Sequence, residues 1–419
     1  MPSVAQEIVY GFLFLSLYFE VFLLITYIEN KRNLKVEDAR IGLKPKAYPT
    51  VSIIVPCWNE EKTLSSTVHS LLNLDYPRNK LDILIVDDGS TDGTLALAKT
   101  FEQWKNVRVF TKENGGKHTA LNFGLSQSQS DLVGCLDADS YVDKDALTNI
   151  VIHFEHDTQA MVVTPSMKIW QPQNIIQFIQ SIEYTWSVFL RKIHSYLGAM
   201  YVTPGPFSIF KREVFTMVGV YKKAHQTEDM EMAMRLQSRG LKIVNCHNAF
   251  VYTTGPETLK KLYKQRVRWT YGFIKNAMDY KFMFFKKKYG NLGLFILPLA
   301  ALSIVTTTYS VALILVHLGS SLVGQVVKIQ TVGFHIHLPD ILHWNFDWFY
   351  MNTNSLFILE IAAFVGLITI LFISRNLAKN KERFGMDLIY FLTLYSFLAP
   401  IWLFKATYNA VFSVRTSWR

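Results

Sequence analysis

Two kinds of hydrophobic pattern divide the chain. Near its two ends, apolar residues run almost unbroken: Val9 to Ile28, Leu292 to Leu318, Ser355 to Ile373, and Leu388 to roughly Tyr408, the last interrupted by Pro400. Runs of this length predict membrane-spanning helices. Between them, from Val51 onward, short apolar runs alternate with helically spaced segments. Val51 to Val55, Ile83 to Val86, Val107 to Phe110 and Leu132 to Leu136 read as strands, and Lys62 to Leu72 and Thr94 to Trp104 as helices. Such alternation predicts a Rossmann-like α/β domain with a mostly parallel sheet and right-handed crossovers. Turns that follow parallel strands then collect along one edge of the sheet.

The flanks of the apolar runs set an expected orientation. Glu7 precedes the first run, and Lys31, Arg32 and Lys35 follow it. That is an uncleaved span with its basic end in the cytosol, not a signal peptide. Arg375, Lys379, Lys381 and Arg383 lie between the last two runs and place that connection inside as well. The α/β domain is then cytosolic, and an outer loop covers 319–354, with His335, His337 and His343 in it. The expected layout is a first span in 1–30, a linker in 31–50, the α/β domain in 51–256, interfacial helices in 257–290, and three spans with the outer loop in 291–419. Glu20 inside the first span reads either as facing other helices or as lying near the interface. The amphipathic segment from Asn174 to Leu197 reads either as a helix in the membrane interface or as a core helix of the α/β domain.

Composition agrees with a mixed protein. The 419 residues are 50% hydrophobic, with a mean hydropathy of +0.16, too apolar for a purely soluble protein and too charged for one wholly in lipid. The net charge of +10 gathers beside the apolar segments, which favours a lipid bilayer over nucleic acid. Cys57, Cys135 and Cys246 are scattered, with neither metal-ligand nor disulfide spacing.

The candidate chemistry sits where strands end. Leu132 to Leu136 runs into Asp137 and Asp139, and two hard oxygen ligands on a short spacer suit Mg²⁺ or Mn²⁺ held together with a substrate phosphate. Ile83 to Val86 runs into Asp87-Asp88-Gly89-Ser90, whose carboxylates can accept hydrogen bonds from a nucleobase or ribose. Lys117 follows Gly115-Gly116 and can reach a diphosphate as a point charge. Thr227-Glu228-Asp229 precedes a helical run from Met230 to Ser238; taken locally, it reads as an N-cap with first-turn acids. Gln265-Arg266-Val267-Arg268-Trp269 joins a guanidinium suited to phosphate with an indole suited to a sugar face.

In this order and spacing, Asp87-Asp88, Asp137-Ala138-Asp139, Thr227-Glu228-Asp229 and Gln265-Arg266-Val267-Arg268-Trp269 resemble the D, DxD, TED and QxxRW motifs of processive, inverting family-2 glycosyltransferases. That family includes the cellulose, chitin-oligosaccharide, hyaluronan and poly-N-acetylglucosamine synthases. Pro56, Asn59 and Glu60 fall in a stretch similar to the family's nucleotide-binding entry. The resemblance implies a GT-A fold and a UDP-sugar donor, with UDP-N-acetylglucosamine favoured. Asp87 or Asp88 would contact the uridine, and Asp139 would hold Mg²⁺ or Mn²⁺ on the diphosphate. Asp137, Lys117, Pro56, Asn59 and Glu60 would belong to the donor site. Asp229, beside Glu228, would be the general base, and Arg268 would stabilise the leaving diphosphate. Trp269 would be the floor under the acceptor sugar, with Gln265, Gly205, Pro206 and Phe207 around it. The partners implied are the donor, a growing glycan and the bilayer of the cell membrane, with room for a small accessory subunit or an oligomer. Two other functions remain open: transfer of one sugar to a polyprenyl-phosphate lipid, and a non-catalytic role in polysaccharide export.

Overall fold

The computed structural model describes residues 4–333, 355–380 and 384–412. His335, His337, His343, Lys381 and Arg383 lie outside them. The chain divides into two compact units, Met1–Leu24 with Ala300–Thr369, and Ile25–Leu299 with Ile370–Arg419.

The second unit contains an eight-stranded sheet. Its strands are β1 (Val51–Cys57), β2 (Leu81–Asp87), β3 (Val107–Thr111), β4 (Leu132–Cys135), β5 (Ser140–Val142), β6 (Ala160–Ile169), β7 (Ile209–Lys211) and β8 (Lys242–Thr253), in the order β3-β2-β1-β4-β7-β6-β8-β5. The four strands expected from the sequence are all present and mutually parallel. Beyond them the sheet is mixed: β7 runs antiparallel to both β4 and β6, and β5 antiparallel to β8. Both sides of β1 and β2 are covered, so their residues are buried almost without a break, as parallel strands with helices on both faces require. One glycine is needed at the seam between the parallel and mixed halves. A Cβ on Gly134 would lie 2.3 Å from Ile209 Cδ1, so only glycine lets β7 close on β4.

The segment from Asn174 proves to be a packed helix, Ile175–Tyr196, lying against β6 and β8. The Asn174 side chain caps it by accepting from the Gln177 N–H, 3.0 Å. Lys192 on this helix is only 1% exposed. It survives there because it pairs with Glu37 and donates to the Asn245 carbonyl, 2.9 Å. A buried charge is tolerated only with such partners. The helix Leu259–Asp279 packs Val267 and Tyr271 against Trp402, Ala406 and Ala410 of the last apolar helix.

Among the described residues, four helices are long and apolar enough to cross a membrane: Glu7–Glu29, Leu292–Thr331, Phe357–Leu377 and Met386–Val411. The second is longer than the pattern suggests. Helix Leu297–Val332 continues through residues assigned above to an outer loop, because Leu322, Val323, Val326 and Val327 keep helical spacing with no proline or glycine pair to stop it. In the first unit, Glu20 is turned towards a neighbouring helix: its Oε2 would lie 2.5 Å from a Cβ on Gly366.

Candidate active site

The in-register parallel pairing of Cys57 with Asp87 and of Ile54 with Cys135 brings three motif-bearing turns to one edge of the sheet. Chain order reverses between β1 and β4, and open α/β sheets bind ligands at that point. Pro56 lies beyond the last residue of β1 paired with β4 and offers no N–H to that side. Asn59 takes a left-handed backbone, φ 57°, which asparagine tolerates better than most residues. Its N–H donates to Ser90 Oγ, 2.9 Å, and its Oδ1 accepts from the Thr91 N–H, 2.8 Å. The turn after β1 is thereby locked to the turn after β2. The Glu60 N–H extends the lock by donating to Thr94 Oγ1, 2.8 Å.

Asp87 and Asp88 are 1% and 3% exposed. Asp87 accepts from Thr111 Oγ1, 3.0 Å, and from the Ser90 N–H. Asp88 accepts from Lys112 Nζ, 2.7 Å, and from the Gly115 and Gly116 N–H groups, 3.1 and 2.8 Å. Both carboxylates are thus engaged within the fold, and Asp88 shapes the glycine turn that presents Lys117.

Lys117 forms a 2.5 Å ion pair with Asp137 and lies 3.9 Å from Glu228. Burial disfavours its charge, but these two carboxylates outweigh that and raise its pKa above the ordinary lysine value. Gly205 closes on the pair, since a Cβ there would lie 3.0 Å from Lys117 Nζ. Lys117, Gly205, Thr203, Tyr221, Glu228 and Asp229 line one pocket. The next residues of that loop turn inward: Phe207 has φ 62° and is wholly buried, so its ring supports the loop from the core.

The acids at this edge are crowded. Burial, then Asp137 and Glu60, pushes the Asp139 carboxyl above its usual range. Burial likewise raises Glu60, against the Thr63 hydrogen bond and with help from Asp137. Carboxylates that repel one another at close quarters are a donor set for a hard divalent cation. Among the described residues no group of three or more His, Cys, Asp or Glu side chains is placed to hold a metal ion by itself. An open set completed by substrate oxygens is how Mg²⁺-type sites are usually built, so the residues fit such an ion.

Thr227 stands at the start of helix Glu228–Ser238, but its side chain does not cap that helix. Its Oγ1 instead accepts from Asn276 Nδ2, 2.8 Å. A Cβ on Gly272 would lie 2.3 Å from that same Oγ1. Gly272 and Asn276 therefore dock the helix carrying Gln265–Trp269 directly onto the Thr-Glu-Asp turn. Asp229 is anchored through its carbonyl by the Thr203 hydroxyl, 2.8 Å, and its Oδ1 accepts from the Met230 N–H, 2.9 Å. Burial first, and Glu228 next, push its carboxyl up to about 6, with Lys117 and Arg268 pulling against them. Arg268 Nη1 donates to the Gln226 carbonyl, 3.4 Å. Arg266 pairs with Glu183, 2.7 Å, and its guanidinium lies 4.4 Å from the centre of the Trp269 ring. Trp269 also packs on Met167, Ile169 and Tyr184.

The structure thus gathers Lys117, Asp137, Gly205, Glu228 and Asp229 into one site. Sequence reasoning missed Thr203, Gly272, Asn276 and Glu183, and named Arg266 only as part of the Gln265–Trp269 motif. The i, i+4 repeat of Gly272 and Asn276, one turn after Arg268, was the only local signal for any of them.

These features define a GT-A fold, with several apolar helices towards the two ends of the chain. Residues 52–218 match the model for Glycosyl transferase family 2, so the chain carries a family-2 glycosyltransferase domain. Among curated proteins it is similar to the poly-beta-1,6-N-acetyl-D-glucosamine synthase of Staphylococcus aureus (strain COL), at 36% identity over 224 residues, 53% of this chain and 54% of the relative. It is similar at 31% over 263 residues to the synthase of the same name from Staphylococcus epidermidis, 62% of this chain and 63% of the relative. The chain therefore spans between half and two thirds of the length of these relatives. Among solved structures it resembles a mannosyltransferase from Pyrobaculum calidifontis in complex with GDP-Man and Mn²⁺, with a TM-score of 0.57 and 17% identity over 95% of this chain and 99% of that one. At that identity the likeness concerns the fold.

Proposed function

We propose that the protein is a membrane-embedded, inverting glycosyltransferase that polymerises a β-linked polysaccharide from a UDP-sugar and passes the chain across the membrane. UDP-N-acetylglucosamine is the favoured donor, in keeping with the names of the curated relatives. The observation that carries the reading is the junction of Asp229, Glu228 and Lys117 in one pocket, with the helix of Gln265–Trp269 docked on the same turn.

Asp229 is the general base. A carboxyl near 6 is basic enough to take a proton and is still ionised at neutral pH. It removes the proton from the acceptor hydroxyl as that oxygen forms its bond to the anomeric carbon. The bond from that carbon to the UDP phosphate oxygen breaks on the opposite face, which inverts the configuration. Negative charge grows on the departing diphosphate, and Lys117 and Arg268 stabilise it. Asp139, with Asp137, would hold Mg²⁺ or Mn²⁺, which when bound neutralises diphosphate charge. Asp88 acts on the donor through the Gly115-Gly116 turn that it holds, and Asp87, Pro56, Asn59 and Glu60 fix the neighbouring turns. Trp269, steadied by Arg266, carries the acceptor sugar, with Gln265, Gly205 and Pro206 beside it.

Membranes containing the protein, given a panel of UDP-sugars with Mg²⁺ or Mn²⁺, should release UDP and build a polymer from one of them. One sugar per lipid would favour a polyprenyl-phosphate acceptor, and no UDP release would leave an export role. The catalytic domain is assigned to the cytosol and the protein to the cell membrane. A cysteine placed at Gly333 should then be labelled from outside, and one placed at Ser90 should not.

A further inference from the structure

The connection between helix Leu259–Asp279 and the span that starts at Leu292 has a structure of its own. Two 3₁₀ turns, Lys281–Met283 and Lys287–Tyr289, fold it back on itself. Met283 is fully buried and anchors it. The Phe285 N–H donates to the Gly293 carbonyl, 2.8 Å. Gly293 is needed for that closure, because a Cβ there would lie 2.4 Å from the Met283 carbonyl oxygen. The loop is clamped onto the first turn of the span and presents a fixed outer face.

That face combines cations with apolar side chains. Lys281, Lys286, Lys287 and Lys288 are exposed. Among the described residues, none of the four has a carboxylate partner. The nearest acid in sequence, Asp279, is engaged by His225, 2.8 Å. Phe285 is 73% exposed, Met278 53% and Phe282 50%. Phe285 also holds φ 57°, a backbone conformation unfavourable for a bulky side chain. A bulky ring held in such a conformation and left in the open is a feature that needs a partner.

We propose that Lys281–Lys288 is a binding site for anionic phospholipid headgroups. The lysines meet headgroup phosphates while Phe282 and Phe285 enter the boundary between headgroups and acyl chains. Charge complementarity and direct continuity with the span at Leu292 both point to lipid. A soluble polyanion would use the lysines but leave the rings in water. At the root of the loop, the Tyr280 hydroxyl donates to Glu231 Oε1, 2.8 Å. That places the lipid site one hydrogen bond from the helix that carries Asp229.

The test uses the full chain in nanodiscs of phosphatidylcholine with or without phosphatidylglycerol. A fluorophore is attached at M278C; the native cysteines are buried. Brominated phosphatidylglycerol should quench it more strongly than brominated phosphatidylcholine at equal mole fraction. The triple variant K286Q/K287Q/K288Q should lower that preference by roughly tenfold or more, since each lysine near an anionic surface contributes measurably. K286R/K287R/K288R should keep it, which separates loss of charge from loss of structure. Equal quenching by the two lipids in the parent, or a preference that survives the glutamine variant, overturns the proposal. The readout is independent of sugar transfer, so it stands or falls apart from the proposed reaction.

Discussion

Strands β1 to β4 and strands β5 to β8 place their functional side chains in different ways. In the first half, each motif ends a parallel strand, and the turns of successive βα units are tied to each other by bonds such as Asn59 to Ser90 and Asp88 to Gly116. In the second half, the Thr-Glu-Asp turn and the Gln265–Trp269 helix meet across 45 residues of chain, through the contact of Gly272 and Asn276 with Thr227. The proposed donor side is thus assembled by repeated βα units, and the proposed acceptor side by the packing of one helix onto a distant turn. Donor binding should tolerate damage to the acceptor side better than catalysis does.

The sharpest way to break that comparison is at the proposed metal ligand. Asp139→Ala on the donor side should abolish transfer and also weaken UDP binding in the presence of the divalent cation, because the diphosphate loses its bridge to the protein. Titration of UDP with and without Mg²⁺, alongside product formation, checks both effects. Retention of most activity would remove the metal assignment.

Asp229→Asn should split the two halves cleanly. The change keeps size and much of the hydrogen bonding but removes the base. Turnover should fall by ~10²–10⁴-fold while UDP affinity stays near that of the parent. If Asp229 served only as a first-turn acid of its helix, the substitution would cost a few tenths to ~1 kcal/mol of stability and leave turnover largely intact.

Gly272→Ala tests the close approach itself. The added methyl meets Thr227 at an impossible distance, and overpacking of this kind typically costs ~1–3 kcal/mol. The expected result is a lower melting temperature and reduced turnover with UDP binding largely kept. Combining it with Thr227→Ser, which removes the methyl but keeps the hydroxyl for Asn276, should recover part of the loss in a double-mutant cycle. Strictly additive effects would mean the two residues do not share the contact.

The same contrast explains what could be read from the sequence. β1 to β4 were legible because strand and helix periods alternate cleanly there, and acids or glycines mark the strand ends. The Thr-Glu-Asp turn reads locally as an ordinary helix start, because its composition suits an N-cap with first-turn acids. The packing of Gly272 and the Asn276 hydrogen bond show that Thr227 faces another helix. β5 and β7 are too short, at three residues each, for any period to appear. Helix Ile175–Tyr196 has an amphipathic pattern that suits a membrane surface equally well, and the buried Lys192–Glu37 pair that settles its place joins residues far apart in sequence. The apolar run stops at Leu318, where Gly319-Ser320-Ser321 follows, yet these residues do not break helix Leu297–Val332.

The smallest expected effect concerns how the base is tuned. Asp229 sits near 6 because burial disfavours its charge and Glu228 repels it. A base works only when deprotonated, so kcat/KM should rise with pH, reach half its plateau near pH 6, and fall about tenfold per unit below that. Glu228→Gln removes the repulsion but leaves the burial. The acid limb should therefore move to lower pH, only part of the way towards an ordinary aspartate. Glu228 also lies 3.9 Å from Lys117, so the plateau should drop modestly as Lys117 is left to Asp137 alone. The stability effect has its own sign. A raised carboxyl binds its proton more tightly in the folded state than in the unfolded one, so its contribution to stability falls as pH rises from the ordinary aspartate value to about 6. Glu228→Gln should flatten that decline in a pH series of melting temperatures. An acid limb that stays in place, while the melting series flattens, would mean that the group titrating in kcat/KM is not Asp229.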